Sequence, residues 1–256
     1  MSVFDILYFV LLAGIAAYVQ SLTGFGLGLI TMGGVALGGA IPLTYAAVLV
    51  SVMTLVNAGQ VLLKGWRDVA WRDLRLVILS GIPALILGYW MLEWLAGTRM
   101  DAVRLLLGII IILSALQLAA RPHALGRRSS DGSFLFFGAV AGIMGGLFST
   151  SGPPLVYHLY RQPMPAVTIR ETLVAIFGFN ALFRLIVVAG AGNLPPARVW
   201  ICLLALPSVM VFTFAARRWP PPVAPEIMRH VIFVLLCLSG ISLAGPGLLH
   251  LLGHPA

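Results

Sequence analysis

Gly145-Gly146-Leu147-Phe148-Ser149-Thr150-Ser151-Gly152-Pro153-Pro154 interrupts one apolar run of this chain, and Gln20-Ser21-Leu22-Thr23-Gly24-Phe25-Gly26-Leu27-Gly28 interrupts another at a matching place in the first half. A bilayer offers no water to an unwound backbone. Non-helical chain at that depth survives only inside protein or beside a polar cavity. Paired interruptions in corresponding positions of a duplicated chain point to the binding site of a transporter. The two stretches therefore predict an all-α membrane protein with broken or re-entrant helices.

Composition agrees with a membrane setting. Charged residues make up 9% of the 256 positions and hydrophobic ones 60%, with a mean hydropathy of +1.03. Soluble domains carry about a quarter charged residues, so a globular enzyme is excluded. A net charge of +8 would suggest nucleic acid in a soluble chain. Here the basic residues sit in short loops between apolar spans, which is a topology signal, and no nucleic-acid partner is expected. Cys202 and Cys237 lie in apolar runs and read as small buried hydrophobes. No metal-ligand spacing and no cofactor motif stands out. Met1-Ser2-Val3-Phe4-Asp5 lacks a basic leader, so the first span reads as retained.

Apolar spans fall near 4–22, 25–41, 43–63, 74–96 and 103–120, then 134–150, 153–161, 168–191, 198–216 and 229–251. Most approach the ~20 residues that cross a bilayer. Two tandem repeats are expected, 1–120 and 134–256, joined by a polar link at 121–133. Pro83 parallels Pro207, Arg104 parallels Arg229, Asn57 parallels Asn180, and Leu113–Ala119 parallels Leu238–Ala244. If the spans alternate, Lys64, Arg67, Arg72, Arg75, Arg121, Arg127, Arg128, Arg161, Arg170, Arg217, Arg218 and Arg229 share one side. The positive-inside rule makes that side cytoplasmic. Each half then holds an odd number of crossings, and the repeats are inverted. The arm from Gly152 to Arg161 reaches only about half of the ~30 Å core, as the tip of a re-entrant or tilted hairpin would.

Thr23, Ser149, Thr150 and Ser151 have the composition of helix N-caps, and Pro153 suits a first helical turn. A helix that begins there offers N–H groups and partial positive charge to an anion. Gly24, Gly26 and Gly152 let a ligand approach the backbone, although the glycines could equally serve tight helix packing. Arg184 lies deep in an apolar span, where a cation needs a partner or a wet cavity. Asn180 shares its helix face, and Asn57 matches Asn180 in the first half. His158, in the short arm after the second interruption, is a proton-coupling candidate or a simple hydrogen-bonding histidine. Glu93 beside Trp94 reads as part of an interfacial belt.

At these residues the chain resembles the TauE/SafE permease family, the sulfite and organosulfonate exporters. The resemblance spans almost the whole chain and is clearest at Gly145–Leu155, Arg170-Glu171-Thr172-Leu173 and Phe177–Arg184. It implies a multi-pass carrier in a bacterial inner membrane, moving a small sulfur-containing or carboxylated anion. Many members have a denser glycine cluster in the first half. Phe25 and Leu27 interrupt it here and leave room for an organic group packed on Phe25.

The resulting expectation is an alternating-access transporter with Thr23, Gly24, Phe25, Gly26, Asn57, Ser149, Thr150, Ser151, Gly152, Asn180 and Arg184 around a small anionic substrate. The bilayer is its other partner, and small-residue faces would permit a homodimer. A passive anion channel is the alternative, and a membrane-embedded serine hydrolase using Ser151 with His158 or His230 a weaker one. Arg184→Ala is expected to abolish anion flux while the protein still reaches the membrane, as membrane-fraction blots alongside uptake assays would read.

Overall fold

The computed structural model describes residues 3–39, 41–98, 100–119 and 125–219, together with Phe233, Val234, Cys237, Gly240, Ile241 and Ala244. All regular structure among these residues is helical. The first half runs α1 (Val3–Thr23), α2 (Leu27–Gly38), α3 (Leu43–Gly65), α4 (Trp71–Thr98) and α5 (Met100–Ala119). The second runs α6 (Asp131–Phe148), α7 (Gly152–Tyr160), α8 (Ala166–Gly190), a 3-10 segment Ala197–Leu204 and α9 (Ala205–Arg218). Six helical segments are long and apolar enough to cross a membrane, from α1, α3, α4, α6, α8 and the Val199–Arg218 stretch. The expected span at 229–251, with Arg229, His230 and most of the Leu238–Ala244 match, lies outside the described residues.

Both interruptions are present. Gly24 and Gly26 take φ of 82° and 116°, a left-handed backbone that side-chain-bearing residues disfavour, and α1 stops there. In the second half Ser149 adopts φ 54° without being glycine. That conformation costs roughly 1 kcal/mol for an L-residue, so surrounding contacts must hold it. The second interruption is shorter than its glycine content implies, because α6 stays helical through Phe148 and keeps Gly145 and Gly146 inside it.

Packing explains those glycines. Along α6, Gly138, Gly142 and Gly146 recur every four residues, so they form a single stripe. The stripe lies against α4, where a Cβ at Gly142 would meet the Gly81 carbonyl and one at Gly146 the Leu85 carbonyl. Lipid tails are as apolar as leucine, so helices associate in membranes by close backbone approach, and small residues permit it. The other main pairings are α1 on α9 and α3 on α8.

One end of the molecule is polar. Arg128 Nε donates to Asp73 at 3.0 Å and Nη1 to Asp131 at 2.7 Å, joining the starts of α4 and α6. The Leu125 N–H bonds the Arg161 carbonyl at 2.7 Å, and Gln162 bonds Ser129. Thus α6 starts, and α7 ends, at this basic end, which makes them a hairpin. The α1–α2 hairpin has its open end elsewhere: the Tyr8 hydroxyl near the start of α1 donates to Gly34 O near the end of α2. The two hairpin tips meet inside, with Gly28 against Ser149 and Thr150.

Gly142→Val would force branched methyls into the Gly81 backbone. It is expected to cost about 1–3 kcal/mol or to prevent folding, read as a lowered melting temperature in detergent. Gly59→Ala, at a helical position with nothing within 4 Å of the added Cβ, should leave stability unchanged or slightly higher.

Candidate functional site

A small cavity lies where the hairpin tips meet. Gln20, Gly26, Gly28 and Thr54 line it from the first half, and Gly145, Ser149 to Gly152, Phe177 and Asn180 from the second. Its volume is about 20 Å³. That holds a water molecule and is too small for an organic anion in this conformation.

The two interruptions meet their hydrogen-bonding needs differently. At the first, Gln20 Oε1 accepts the Leu27 N–H at 3.1 Å and so caps α2 from the preceding helix. Gln20 Nε2 donates to Asn57 Oδ1 at 2.9 Å. Asn57 Nδ2 in turn donates to Ser21 Oγ and to Thr213 Oγ1, at 3.1 and 2.8 Å. Both amide donors and the acceptor of Asn57 are thereby engaged, and Asn57 does not line the cavity. Its role is to hold Gln20. Thr23 is not the cap that its composition suggests, since its hydroxyl lies against Val19 O and Phe25 O and its carbonyl accepts from Tyr160.

At the second interruption Ser151 occupies the N-cap position, yet no side chain caps α7. The Ser151 hydroxyl instead accepts from Asn180 Nδ2 at 2.9 Å. Ser149 and Ser51 share a hydroxyl hydrogen bond of 2.7 Å that ties the left-handed turn to α3. Among the described residues, nothing accepts from the N–H groups of Thr150, Ser151 or Gly152. Pro153 and Pro154 carry no N–H, so the donors gather on these three residues. Asn180 Oδ1 is buried without a partner. Consecutive free N–H groups at a helix start form a concavity suited to negative charge.

The structure therefore gathers Gly26, Ser149, Thr150, Ser151, Gly152 and Asn180 around one space and leaves others apart. Gly24 packs against Arg170, and Phe25 is buried beside Gly152 without lining the cavity. His158 lies between Phe134 and Phe137, with ring centroids 4.5 Å from each, and its Nε2 has no hydrogen-bond partner. Ser151 and His158 make no hydrogen bond, so that hydrolase pairing is not formed; His230, the alternative partner, lies outside the described residues. Gln20 is the residue that sequence reasoning passed over. A buried glutamine at the end of an apolar helix, seven residues before the next helix starts, was the available signal.

Arg184 takes another place. It is 1% exposed, and its Nε donates to Gly146 O at 3.2 Å. It lines a second, larger cavity of about 440 Å³ with Tyr45, Tyr89, Glu93 and Asn193. That cavity opens between the start of α3 and the ends of α4 and α8, away from the basic end. Glu93, expected in an interfacial belt, faces this cavity and accepts from Asn193 Nδ2 at 3.2 Å.

Comparison with known proteins now bears on the reading. The sequence matches the family described as "Sulfite exporter TauE/SafE" over residues 9–243. It is 36% identical over 237 residues, 93% of each chain, to a protein of Cupriavidus necator named "Probable sulfite/organosulfonate exporter TauE". It is 26% identical over 181 residues to a Comamonas testosteroni protein named "Probable inner membrane transporter protein TsaS", covering 70% of this chain and 74% of that one. No solved structure matches it.

Gln20→Leu and Asn57→Leu should each destabilise the protein by about 1–3 kcal/mol, since each strands a buried partner. The double variant should cost clearly less than the sum, because the two act as one unit. Unfolding of the four proteins in one detergent measures the coupling, and strict additivity would disprove it.

Proposed function

The chain belongs to the TauE/SafE sulfite exporter family, and on that basis we propose that it carries sulfite or a small organosulfonate across a bacterial inner membrane by alternating access. It is a multi-pass membrane transporter and not an enzyme. What supports the substrate reading is that the N–H groups of Thr150, Ser151 and Gly152 find no acceptor among the described residues, in a turn that lines a small cavity together with Gly26 and Gly28 of the first half. A sulfite or sulfonate head presents several acceptor oxygens and permanent negative charge, which such donors match. Asn180 orients the Ser151 hydroxyl, and Gln20 and Asn57 hold the opposite wall in place.

Inverted repeats are the matching proposal for the mechanism. Aligning the ends of α1 and α6 pairs α1 with α6, α2 with α7, α3 with α8 and α4 with the 3-10 segment and α9. Under that exchange the α1–α9 contact becomes α6–α4, and α3–α8 maps onto itself; all three are pairings of this fold. Two hairpins entering from opposite ends would then allow rocking about a fixed central site, with access on one side at a time. The larger cavity opens away from the basic end, so the positive-inside rule places it on the outer side.

Proteoliposome flux of sulfite and methanesulfonate tests the site. Ser151→Ala combined with Thr150→Val should raise KM about tenfold or more, the loss expected for hydrogen bonds to a charged ligand, while the amount of folded protein is unchanged. Sulfite and sulfonates should also raise the melting temperature of the purified protein more than carboxylates do. Unaltered KM in the double variant would remove the two hydroxyls from the site, and the absence of any thermal shift with sulfite or sulfonates would return the whole turn to a packing role.

A further inference from the structure

Arg184 is a buried cation with no carboxylate within salt-bridge distance among the described residues. Its Nη1 has no hydrogen-bond partner, and its one protein bond goes to a neutral carbonyl. A lone charge in such surroundings is costly unless an anion or water completes it. The cavity it lines is about 440 Å³, within the ~300–1,000 Å³ range of small-molecule sites. The central cavity at the hairpin tips is some twentyfold smaller.

A second donor faces the same space. The Tyr89 hydroxyl accepts from Asn193 Nδ2 at 2.8 Å, which leaves its own hydrogen to give. Asn193 also holds the Glu93 carboxylate, so the one acidic group lining this cavity is restrained at its side. Arg184 and Asn180 are one helical turn apart on α8, about 6 Å along its axis. Asn180 lines the central cavity and Arg184 the larger one, and the carbonyl that Arg184 holds is three residues before Ser149.

We propose that the larger cavity is a second anion site, in which Arg184 and Tyr89 receive a sulfonate-like oxyanion as a way-station one turn from the central cavity. Glu93 sets its selectivity, weakening attraction and disfavouring multiply charged anions. The oxyanion class rests on the transport reading above; the site's preference for negative charge does not.

Labelling at Leu194→Cys, an exposed position on the cavity wall, tests this in a Cys202→Ser, Cys237→Ser background. The probes are the anionic sulfonatoethyl and the cationic trimethylammonioethyl methanethiosulfonates, and the readout is their rate ratio. Arg184→Gln should lower the anionic preference by about tenfold, the scale on which a charged cleft concentrates ions, and Arg184→Lys should retain it. Glu93→Gln should raise it. Methanesulfonate should slow the anionic reagent in the parent protein and not in Arg184→Gln. Flat ratios in both Arg184→Gln and Glu93→Gln overturn the proposal. Should Arg184→Gln fail to fold, Glu93→Gln decides alone, and a ratio that does not rise overturns it. Normal sulfite flux with flat ratios sinks the vestibule site only; shifted ratios without sulfite flux sink the transport reading only.

Discussion

An unwound backbone inside a membrane protein has to find its hydrogen-bond partners within the protein, and most of this architecture follows from how that need is met at two places. At the first interruption a side chain does the work: Gln20 caps α2 and is held by Asn57. At the second the side-chain cap is missing, and three adjacent residues that line the small cavity have N–H groups without an acceptor among the described residues. Aligning the ends of α1 and α6 puts Gly145 where the first half has Gln20. Glycine at that place has no side chain to reach the next helix, so the donors stay open. One interruption thus satisfies its donor through a side chain, and the other leaves three N–H groups without an acceptor among the described residues.

Close packing makes the open half possible. The Gly138, Gly142 and Gly146 stripe brings α6 against the α4 backbone, and Arg184 ties the last of these carbonyls to α8. Asn180 and Ser51 then secure the serines of the turn from two more helices. The left-handed Ser149 persists because these contacts over-determine it.

Charge is distributed in the same spirit. The ion pairs lie at one end, linking Asp73, Arg128 and Asp131 between α4 and α6, and Glu171 with Arg170 and Arg217 between α8 and α9. Glu171 is itself buried, and these pairs tie helices together at the basic end. The opposite end holds the larger cavity with Arg184 at its floor.

The sequence by itself determined that the chain is helical and membrane-embedded and where its helices break, and it singled out Ser149–Gly152 and Asn180, which the fold brings to one cavity. These are local facts: apolar run length, glycine and proline placement, and polar residues that hydrocarbon does not tolerate. Only the tertiary structure decided which polar residues share a space. Asn57 and Asn180 look equivalent along the chain, but one is consumed by Gln20, Ser21 and Thr213 while the other keeps a free oxygen. Arg184 reads as part of the central site and lies one turn away, in another cavity. Gly145 and Gly146 are neighbours in sequence, yet one lines the cavity and the other packs on α4, because adjacent helical residues point about 100° apart. Partner assignment depends on helices brought together across the whole fold, and no local pattern encodes it.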